Sequence, residues 1–519
     1  MHSNIMTGAE SLVHTLVSGG VQVCFANPGT SEIHFVAALD RVEGIRCVLT
    51  LFEGVATGAA DGYYRMSEVP AATLLHLGPG LANGLANLHN ANKARSGIIN
   101  IVGQHATYHV ALDTPLSSDV EAIARPYSSW IRTSQSSMSV AQDSAAAITA
   151  ARRPPGQIAT LILPADAAWG NAFGRAIPNP PSVRSTASHE SIESSARALR
   201  QGSRSALILG GGAVRGRGLE LAGQIAAKTG CKLICEHLNP RVERGAGRVP
   251  LTRIPYVVDQ AIEMLEDFQH LVLVGAKPPV AFFAYPNKPN VLTAEGAAII
   301  QLVSVEQDIV SALESLAIEL NAHRTSPHLT PHKQIAPARG KTTLDGIGAV
   351  IASLLPENAI VIDESLTTGR TFWTQTANAN PHDWLSSMGG SIGFGLPLAI
   401  GVSVGAPDRK VIALEGDGSA MYTLQALWTI AREQLDITII IFANRGYRIL
   451  QGELASLGSC KPGRRAIDML TIDRPALDWV ALARGEGVDA HSASSLDEFA
   501  RELNHGLASN GPYLIELII

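Results

Sequence analysis

Short apolar runs alternate with helical stretches along the whole chain, and two polar, proline-bearing segments cut that alternation into three blocks. Apolar strands separated by helices build parallel sheets covered on both faces, because each crossover lays a helix on the sheet. The expected fold is therefore α/β, with three doubly wound parallel-sheet domains. The interruptions, Pro178 to Glu193 and His323 to Lys341, read as linkers. They set the expected domains at 1–177, 190–325 and 340–519. Expected strands are Val23–Ala26, Cys47–Leu51, Ala72–Leu75, Ile98–Val102 and Thr160–Leu163 in the first block. Those of the second are Ala206–Leu209, Lys232–Cys235, Leu271–Val274 and Ala298–Leu302. Those of the third are Ala359–Asp363, Val411–Leu414, Ile437–Phe442 and Tyr513–Ile518. Ligands of such sheets sit at the carboxyl ends of the strands, so the informative residues are those just after each strand.

Composition removes several classes of function. With 46% apolar and 17% charged residues the chain reads as globular rather than disordered. A formal net charge of −6 with no evident basic face argues against nucleic acid as a partner. Five scattered cysteines, Cys24, Cys47, Cys231, Cys235 and Cys460, fit a reducing compartment, and a cytoplasmic protein is expected. No apolar run is long enough to span a membrane, and the N-terminus has no signal-peptide pattern.

The third block carries the strongest motif. The strand Val411–Leu414 leads into Glu415-Gly416-Asp417-Gly418-Ser419, and the strand Ile437–Phe442 leads into Ala443-Asn444-Arg445-Gly446. Asp417 and Asn444 thus follow successive strands, 27 positions apart. If those strands are parallel neighbours, both side chains reach one crevice. A hard cation such as Mg²⁺ takes oxygen ligands and bridges carboxylate to phosphate. Asp417, Asn444 and the Gly446 carbonyl would supply three oxygens. Gly416 and Gly418 would let the backbone approach phosphate, and the N–H groups of Ser419 and Ala420 would open a helix.

This spacing resembles the cofactor motif of the thiamine diphosphate (ThDP)-dependent enzymes, which begins Gly-Asp-Gly and ends near Asn-Asn. Here Ala443 replaces the first closing Asn, while Asn444 keeps the metal-ligand position. Three more segments carry the resemblance. Phe52-Glu53-Gly54-Val55-Ala56 matches the segment whose glutamate contacts N1′ of the aminopyrimidine, so Glu53 is implied as the residue that activates the cofactor. Ser387-Met388-Gly389-Gly390-Ser391-Ile392-Gly393 resembles the stretch that grips the aminopyrimidine, with Ile392 as the apolar wedge and the Gly390 carbonyl as acceptor. Glu364-Ser365-Leu366-Thr367 resembles a second diphosphate loop, with Thr367 as donor, and Phe25-Ala26-Asn27-Pro28-Gly29-Thr30 resembles the first active-site loop. The resemblance implies ThDP and Mg²⁺ as cofactors. It also implies the domain order pyrimidine-binding, central, diphosphate-binding, and a homodimer at minimum with a homotetramer common.

Within this family the chain is most similar to benzoylformate decarboxylase and to the acetolactate synthase large subunit. His76 matches a catalytic histidine of the former, Thr30 the serine that binds the substrate carboxylate, and Leu450 a leucine. Gly78-Pro79-Gly80 resembles acetolactate synthase. The departure is Phe283, which stands where benzoylformate decarboxylase has a second histidine. The resemblance therefore implies a 2-oxo acid decarboxylase, or alternatively an acetolactate synthase-like carboligase. His76 would be the proton donor or carbonyl polariser, and Phe283, Leu450 and Ile392 would make the pocket apolar. Gln104, His105, His109 and Glu453 are candidate pocket residues. Gly210-Gly211-Gly212 lacks the G-x-G-x-x-G pattern and reads as a structural turn, so FAD, carried by some relatives, is not expected. A non-catalytic paralogue and a flavin or nicotinamide oxidoreductase are the rivals from other classes; retained Glu53, Asp417 and Asn444 argue against the first.

Overall fold

The computed structural model describes residues 5–456 and 462–519, with only the backbone of Ser456, so Cys460 lies outside the described residues. The described residues build a six-, a five- and a seven-stranded sheet, together with a two-stranded ribbon of Ile5–Thr7 and Asn171–Phe173. The six-stranded sheet is parallel throughout. Its spatial order is Arg46–Leu49, Val23–Asn27, Ala71–Leu75, Ile98–Gln104, Ile158–Pro164, Trp130–Thr133. The five-stranded sheet, also parallel, is ordered Thr252–Arg253, Lys232–Cys235, Ser205–Leu209, His270–Val274, Ala298–Val303. Helices lie between most successive strands, as the α/β reading requires, but none separates Lys232–Cys235, Val242–Arg244 and Thr252–Arg253, or His270–Val274 and Ala298–Val303. The central strands are buried along their whole length, Ile437–Ala443 most clearly, and that explains their unbroken apolar sequence.

The third sheet departs from the expectation of purely parallel domains. Its order is Val242–Arg244, His382–Ser386, Ile360–Glu364, Val411–Gly416, Ile437–Ala443, Tyr513–Ile518, Asp489–Ala493. The first of these comes from the middle block and pairs antiparallel with His382–Ser386. His382–Ser386 escaped the apolar pattern because its polar residues meet charged and polar partners in the fold, although Asp383 Oδ1 has no hydrogen-bond partner among the described residues. Asp383 meets Arg409 at 2.6 Å and Arg241 at 3.2 Å, and the Trp384 indole donates to Asp363 at 3.2 Å. Of the other missed strands, Trp130–Thr133, Thr252–Arg253 and Asp489–Ala493 are edge strands with exposed residues, and Ile5–Thr7 and Asn171–Phe173 form the separate ribbon.

Arg244 closes this junction. Its guanidinium is buried over the rings of Trp373 and Trp384, at 4.0 and 5.2 Å, and donates to Thr376 and the Trp373 carbonyl. Burial first, then the Arg244 charge, push His382 down to about 3, so the imidazole is neutral in the fold. Its ordinary value is near 6.5. The unfolded chain therefore takes up a proton below about pH 6.5 that the folded chain refuses, and stability falls as pH drops from there toward 3. The loss is bounded by about 1.4 kcal/mol per pH unit. Calorimetric unfolding from pH 7 to 4 is expected to show this slope, and His382→Gln to flatten it.

The first and third sheets meet through two helices, Glu53–Ser67 and Gly395–Gly405. The backbones approach so closely that a Cβ on Gly401 would fall 1.8 Å from the Ala59 carbonyl oxygen, and one on Gly62 2.2 Å from that of Leu398. Glycine is required here by contact, and the contact fixes the helix whose first residue is Glu53.

Candidate active site

Val411–Gly416 and Ile437–Ala443 are parallel neighbours in register, with Gly416 opposite Phe442, so Asp417 and Asn444 emerge at the same sheet end. Asp417 is buried; its Oδ1 accepts from the Gly418 N–H at 2.9 Å and its Oδ2 from the Arg445 N–H at 2.6 Å. Burial pushes its carboxyl above the ordinary value, against the pull of those two N–H groups. Asn444 Oδ1 accepts from the Gly446 N–H at 3.1 Å. Gly416 precedes the short helix Asp417–Ala420, which opens at Asp417 rather than at Ser419, so that Ser419 and Ala420 are its buried last two residues; a Cβ on Gly418 would fall 2.7 Å from the Tyr447 ring.

Beside this crevice the strand Ile360–Glu364 runs into the loop of Thr367, which is half-buried. The fully buried Glu364 accepts from the Gly393 and Gly395 N–H groups, at 2.6 Å each. Burial pushes Glu364 up to about 7, opposed by those two bonds. Among the described residues no N–H or hydroxyl donor reaches either oxygen of the equally buried Glu415, which shares a carboxyl–carboxylate hydrogen bond with Glu364 when one of the two is protonated. Burial, then the neighbouring Glu364 carboxyl, raise Glu415 well above its ordinary value, so its neutral form is favoured. The turn between carries left-handed Gly390 (φ 75°) and Gly393 (φ 82°), with half-buried Ile392 between them. Asn90 both donates to the Ser391 carbonyl and accepts from its N–H, and Thr423 donates to the Gly393 carbonyl. Among the described residues no protein donor reaches the Gly390 carbonyl.

The first sheet presents the other group of candidates. Glu53, buried at a helix start, accepts from Asn83 Nδ2 at 3.0 Å. His76 follows the strand Ala71–Leu75, and a Cβ on the intervening Gly80 would fall 2.9 Å from Glu53 Oε1 and 3.2 Å from the His76 Cβ. Glu53 and His76 are thus close. His76 Nδ1 lies 2.7 Å from Glu32 Oε2, whose buried carboxylate also accepts from the Gly29 N–H and the Ser31 hydroxyl. Thr30 sits exposed on the turn between Gly29 and Ser31, and a Cβ on Gly29 would fall 2.1 Å from His76 Nδ1. A carboxylate on Nδ1 fixes the ring and leaves Nε2 for proton exchange. Glu32→Gln is expected to lower turnover less than His76→Ala does, which steady-state kinetics checks.

Strain marks the same strand ends. Leu77 (φ 47°), Leu366 (φ 50°) and Arg445 (φ 56°) are left-handed without being glycine, one beside His76, one beside Thr367 and one between Asn444 and Gly446. Such backbone costs about 1–3 kcal/mol per residue and collects at functional sites.

The remaining candidates lie around these groups. His105 and His109 have ring centroids 5.6 Å apart after the strand Ile98–Gln104, Gln104 being the last residue of that strand. Among the described residues no three His, Cys, Asp or Glu converge as a metal cluster. Phe283 is exposed and packs edge-on to Phe282, and it is Phe282 that covers Gly390, where a Cβ would fall 2.8 Å from its ring. Leu450 lines a cavity of about 770 Å³ with Tyr285, Arg370, Glu453 and Leu454. Tyr285 donates to Glu453 at 3.2 Å, joining the middle block to the helix of Leu450. Gly210 meets Gly275, where a Cβ would fall 2.6 Å from the carbonyl oxygen, a packing reason for that glycine. A cavity of about 850 Å³ opens beside it, lined by Tyr64, Arg95, Arg215, His237 and Lys277 among others.

Sequence reading missed Glu32, Asn83, Glu364 and Tyr285. Glu364 had a signal, since it ends a strand on the ligand side; Glu32 had one in its place two residues after Thr30. Nothing local marked Asn83 or Tyr285.

A crevice of hard oxygen donors at one sheet end, with a glutamate and a carboxylate-held histidine on another, defines a cofactor-using α/β enzyme. Residues 6–123 match the thiamine pyrophosphate enzyme N-terminal TPP binding domain, and residues 367–517 the C-terminal TPP binding domain. The chain is 47% identical over 99% of both chains to a Mycobacterium tuberculosis protein named as a candidate acetolactate synthase large subunit, IlvX. It is 28% identical to benzoylformate decarboxylase of Pseudomonas aeruginosa, covering 96% of each. Its fold is shared with a ThDP-dependent 4-hydroxybenzoylformate decarboxylase of Rhodococcus jostii, with a TM-score of 0.83, 24% identity and 98% of each chain covered. The chain belongs to the thiamine diphosphate-dependent enzyme family.

Its residues fit that cofactor. The Asp417–Asn444 donor set is all oxygen, two glycines admit backbone to the crevice, and the Gly390 carbonyl has an acceptor position to give. No helix of the described residues is long and apolar enough to cross a membrane.

Proposed function

We propose that the protein is a ThDP- and Mg²⁺-dependent 2-oxo acid decarboxylase of the benzoylformate decarboxylase kind. The observation that carries this reading is Glu53 and His76 together, each buried or half-buried, Glu53 held by Asn83 and His76 by Glu32 at 2.7 Å with the Ser31 hydroxyl at 3.3 Å from the same Nδ1. Bound ThDP supplies a nucleophilic carbon and an electron sink for the bond broken as CO₂ leaves. Asp417, Asn444 and the Gly446 carbonyl hold the metal. Gly416, Gly418, Ser419, Ala420 and Thr367 line the diphosphate, and Gly390 and Ile392 hold the aminopyrimidine. Glu53 would face N1′ of the aminopyrimidine and hold the proton on its own carboxyl. Thr30 binds the substrate carboxylate, and His76, oriented by Glu32, delivers a proton from Nε2 or polarises the substrate carbonyl.

A second reading, an acetolactate synthase-like carboligase, is favoured by the name of the 47%-identical relative. The two readings part after CO₂ loss, where the first needs a proton and the second a second carbonyl compound. Incubation with ThDP, Mg²⁺ and a panel of 2-oxo acids, with aldehydes and 2-hydroxy ketones both quantified, separates them. Aldehyde as the main product supports the decarboxylase, and acetolactate from pyruvate the carboligase. A visible flavin band bleached by substrate would point to redox chemistry instead.

The same reading sets the pyrimidine-binding, central and diphosphate-binding domains at 1–177, 190–325 and 340–519. It makes the working unit a homodimer at minimum and a homotetramer in full, with no nucleic acid or membrane partner. It places the protein in the cytoplasm, in keeping with the free thiols of Cys24, Cys231 and Cys235.

A further inference from the structure

We propose that Glu364 is a positioning residue whose carboxylate clamps the backbone on one side of Ile392, fixing the turn against which the aminopyrimidine is held. This rests on the reading of that turn as the aminopyrimidine grip. Glu364 ends its strand 1% exposed, and its two oxygens each accept one backbone N–H, Gly393 and Gly395, at 2.6 Å. Short, paired bonds of this kind, strongest when the carboxylate is ionised, impose geometry as well as energy. Burying a carboxylate is costly, and an apolar side chain of like size would fill the space as well. What an apolar side chain cannot do is hold two amides of one turn pointing inward.

The rest of the turn is tied from the opposite side. Ser387 accepts from the Gly390 N–H at 3.0 Å, and Asn90 makes its two bonds to Ser391. Thr423 at 3.0 Å and Asn87 at 3.4 Å donate to the Gly393 carbonyl, and His89 Nε2 lies 3.1 Å from the Gly389 carbonyl. The backbone on both sides of Ile392 is therefore fixed, while the Gly390 carbonyl is left without a protein donor among the described residues. Left-handed φ at Gly390 and Gly393 gives the turn little conformational preference of its own, so its shape comes from these clamps.

The test is a double-mutant cycle on ThDP affinity, measured calorimetrically at saturating Mg²⁺ with wild type, Glu364→Gln, Ile392→Ala and the double variant. Gln keeps the size but turns an N–H₂ group toward one of the two amides. The expected result is a 10- to 100-fold weaker Kd for Glu364→Gln, the size of loss expected when a hydrogen bond to a charged group is removed. The double variant should lose much less than the product of the two single losses. The KM for the oxo acid should stay within about twofold while kcat falls. If Glu364→Gln does not fold, Glu364→Asp, which keeps the charge, takes its place in the cycle. Unchanged ThDP affinity, or losses that multiply as for independent sites, would overturn the role of Glu364. A wild type that binds no ThDP would overturn the reading of the site itself.

Discussion

Glu53→Gln is expected to lower turnover of every accepted 2-oxo acid by about 10²- to 10⁴-fold, the range for loss of a general acid–base group. The substitution is close to isosteric. The amide oxygen of the new side chain can still accept from Asn83 Nδ2, so the contact at 3.0 Å survives and the helix start is undisturbed. What is lost is the ability to exchange a proton. Because the cofactor's diphosphate and metal are assigned to the other crevice, ThDP affinity should change far less than kcat. Steady-state kinetics at saturating ThDP, paired with a ThDP titration, reads both. Unchanged turnover would remove Glu53 from the mechanism and revive the reading of the chain as a non-catalytic member of the family.

Asp417→Asn should have the opposite signature. Both Asp417 oxygens accept backbone N–H groups, so an amide turns its N–H₂ toward either Gly418 or Arg445 and leaves that buried N–H without an acceptor. The charge that a divalent cation would need is removed as well. Loss of an outer-shell partner alone costs about 10- to 100-fold in metal affinity, and loss of a ligand should exceed that. The expected result is ThDP binding that no longer responds to Mg²⁺, with activity falling in proportion to bound cofactor. A titration of ThDP at several Mg²⁺ concentrations checks this. Retained Mg²⁺ dependence would show that the metal sits elsewhere.

Much of this was legible in the chain because the fold aligns chemistry with strand ends. Asp417 and Asn444 follow two apolar strands, and their convergence needed only that the strands be neighbours, which the register of Gly416 with Phe442 provides. His76 and Glu53 were legible through resemblance, but not their partners. Asn83 is an ordinary polar residue of the helix Leu77–Ala94, and its bond to Glu53 spans thirty positions that no local pattern connects. The strand His382–Ser386 was invisible because its polar residues find their ions only in the assembled fold. Val242–Arg244 was hidden for a related reason, since three residues from the middle block carry no sign that they will pair with the third sheet. The pocket beside Leu450 shows the same limit: the apolar lining read from Phe283, Leu450 and Ile392 is not gathered in that cavity, which is lined by Leu450 and Leu454 but by neither Phe283 nor Ile392. Arg370 and the Tyr285–Glu453 bond add polar groups, and Phe282 rather than Phe283 covers Gly390.

The central claim is carbon–carbon bond cleavage that depends on ThDP. Release of CO₂ from a panel of aliphatic and aromatic 2-oxo acids, measured with the cofactor-stripped protein before and after adding ThDP and Mg²⁺, tests it most directly. CO₂ from at least one acid, appearing only once both are added, is the predicted result. CO₂ release that is the same without ThDP, or none from any acid although ThDP is bound, would contradict it.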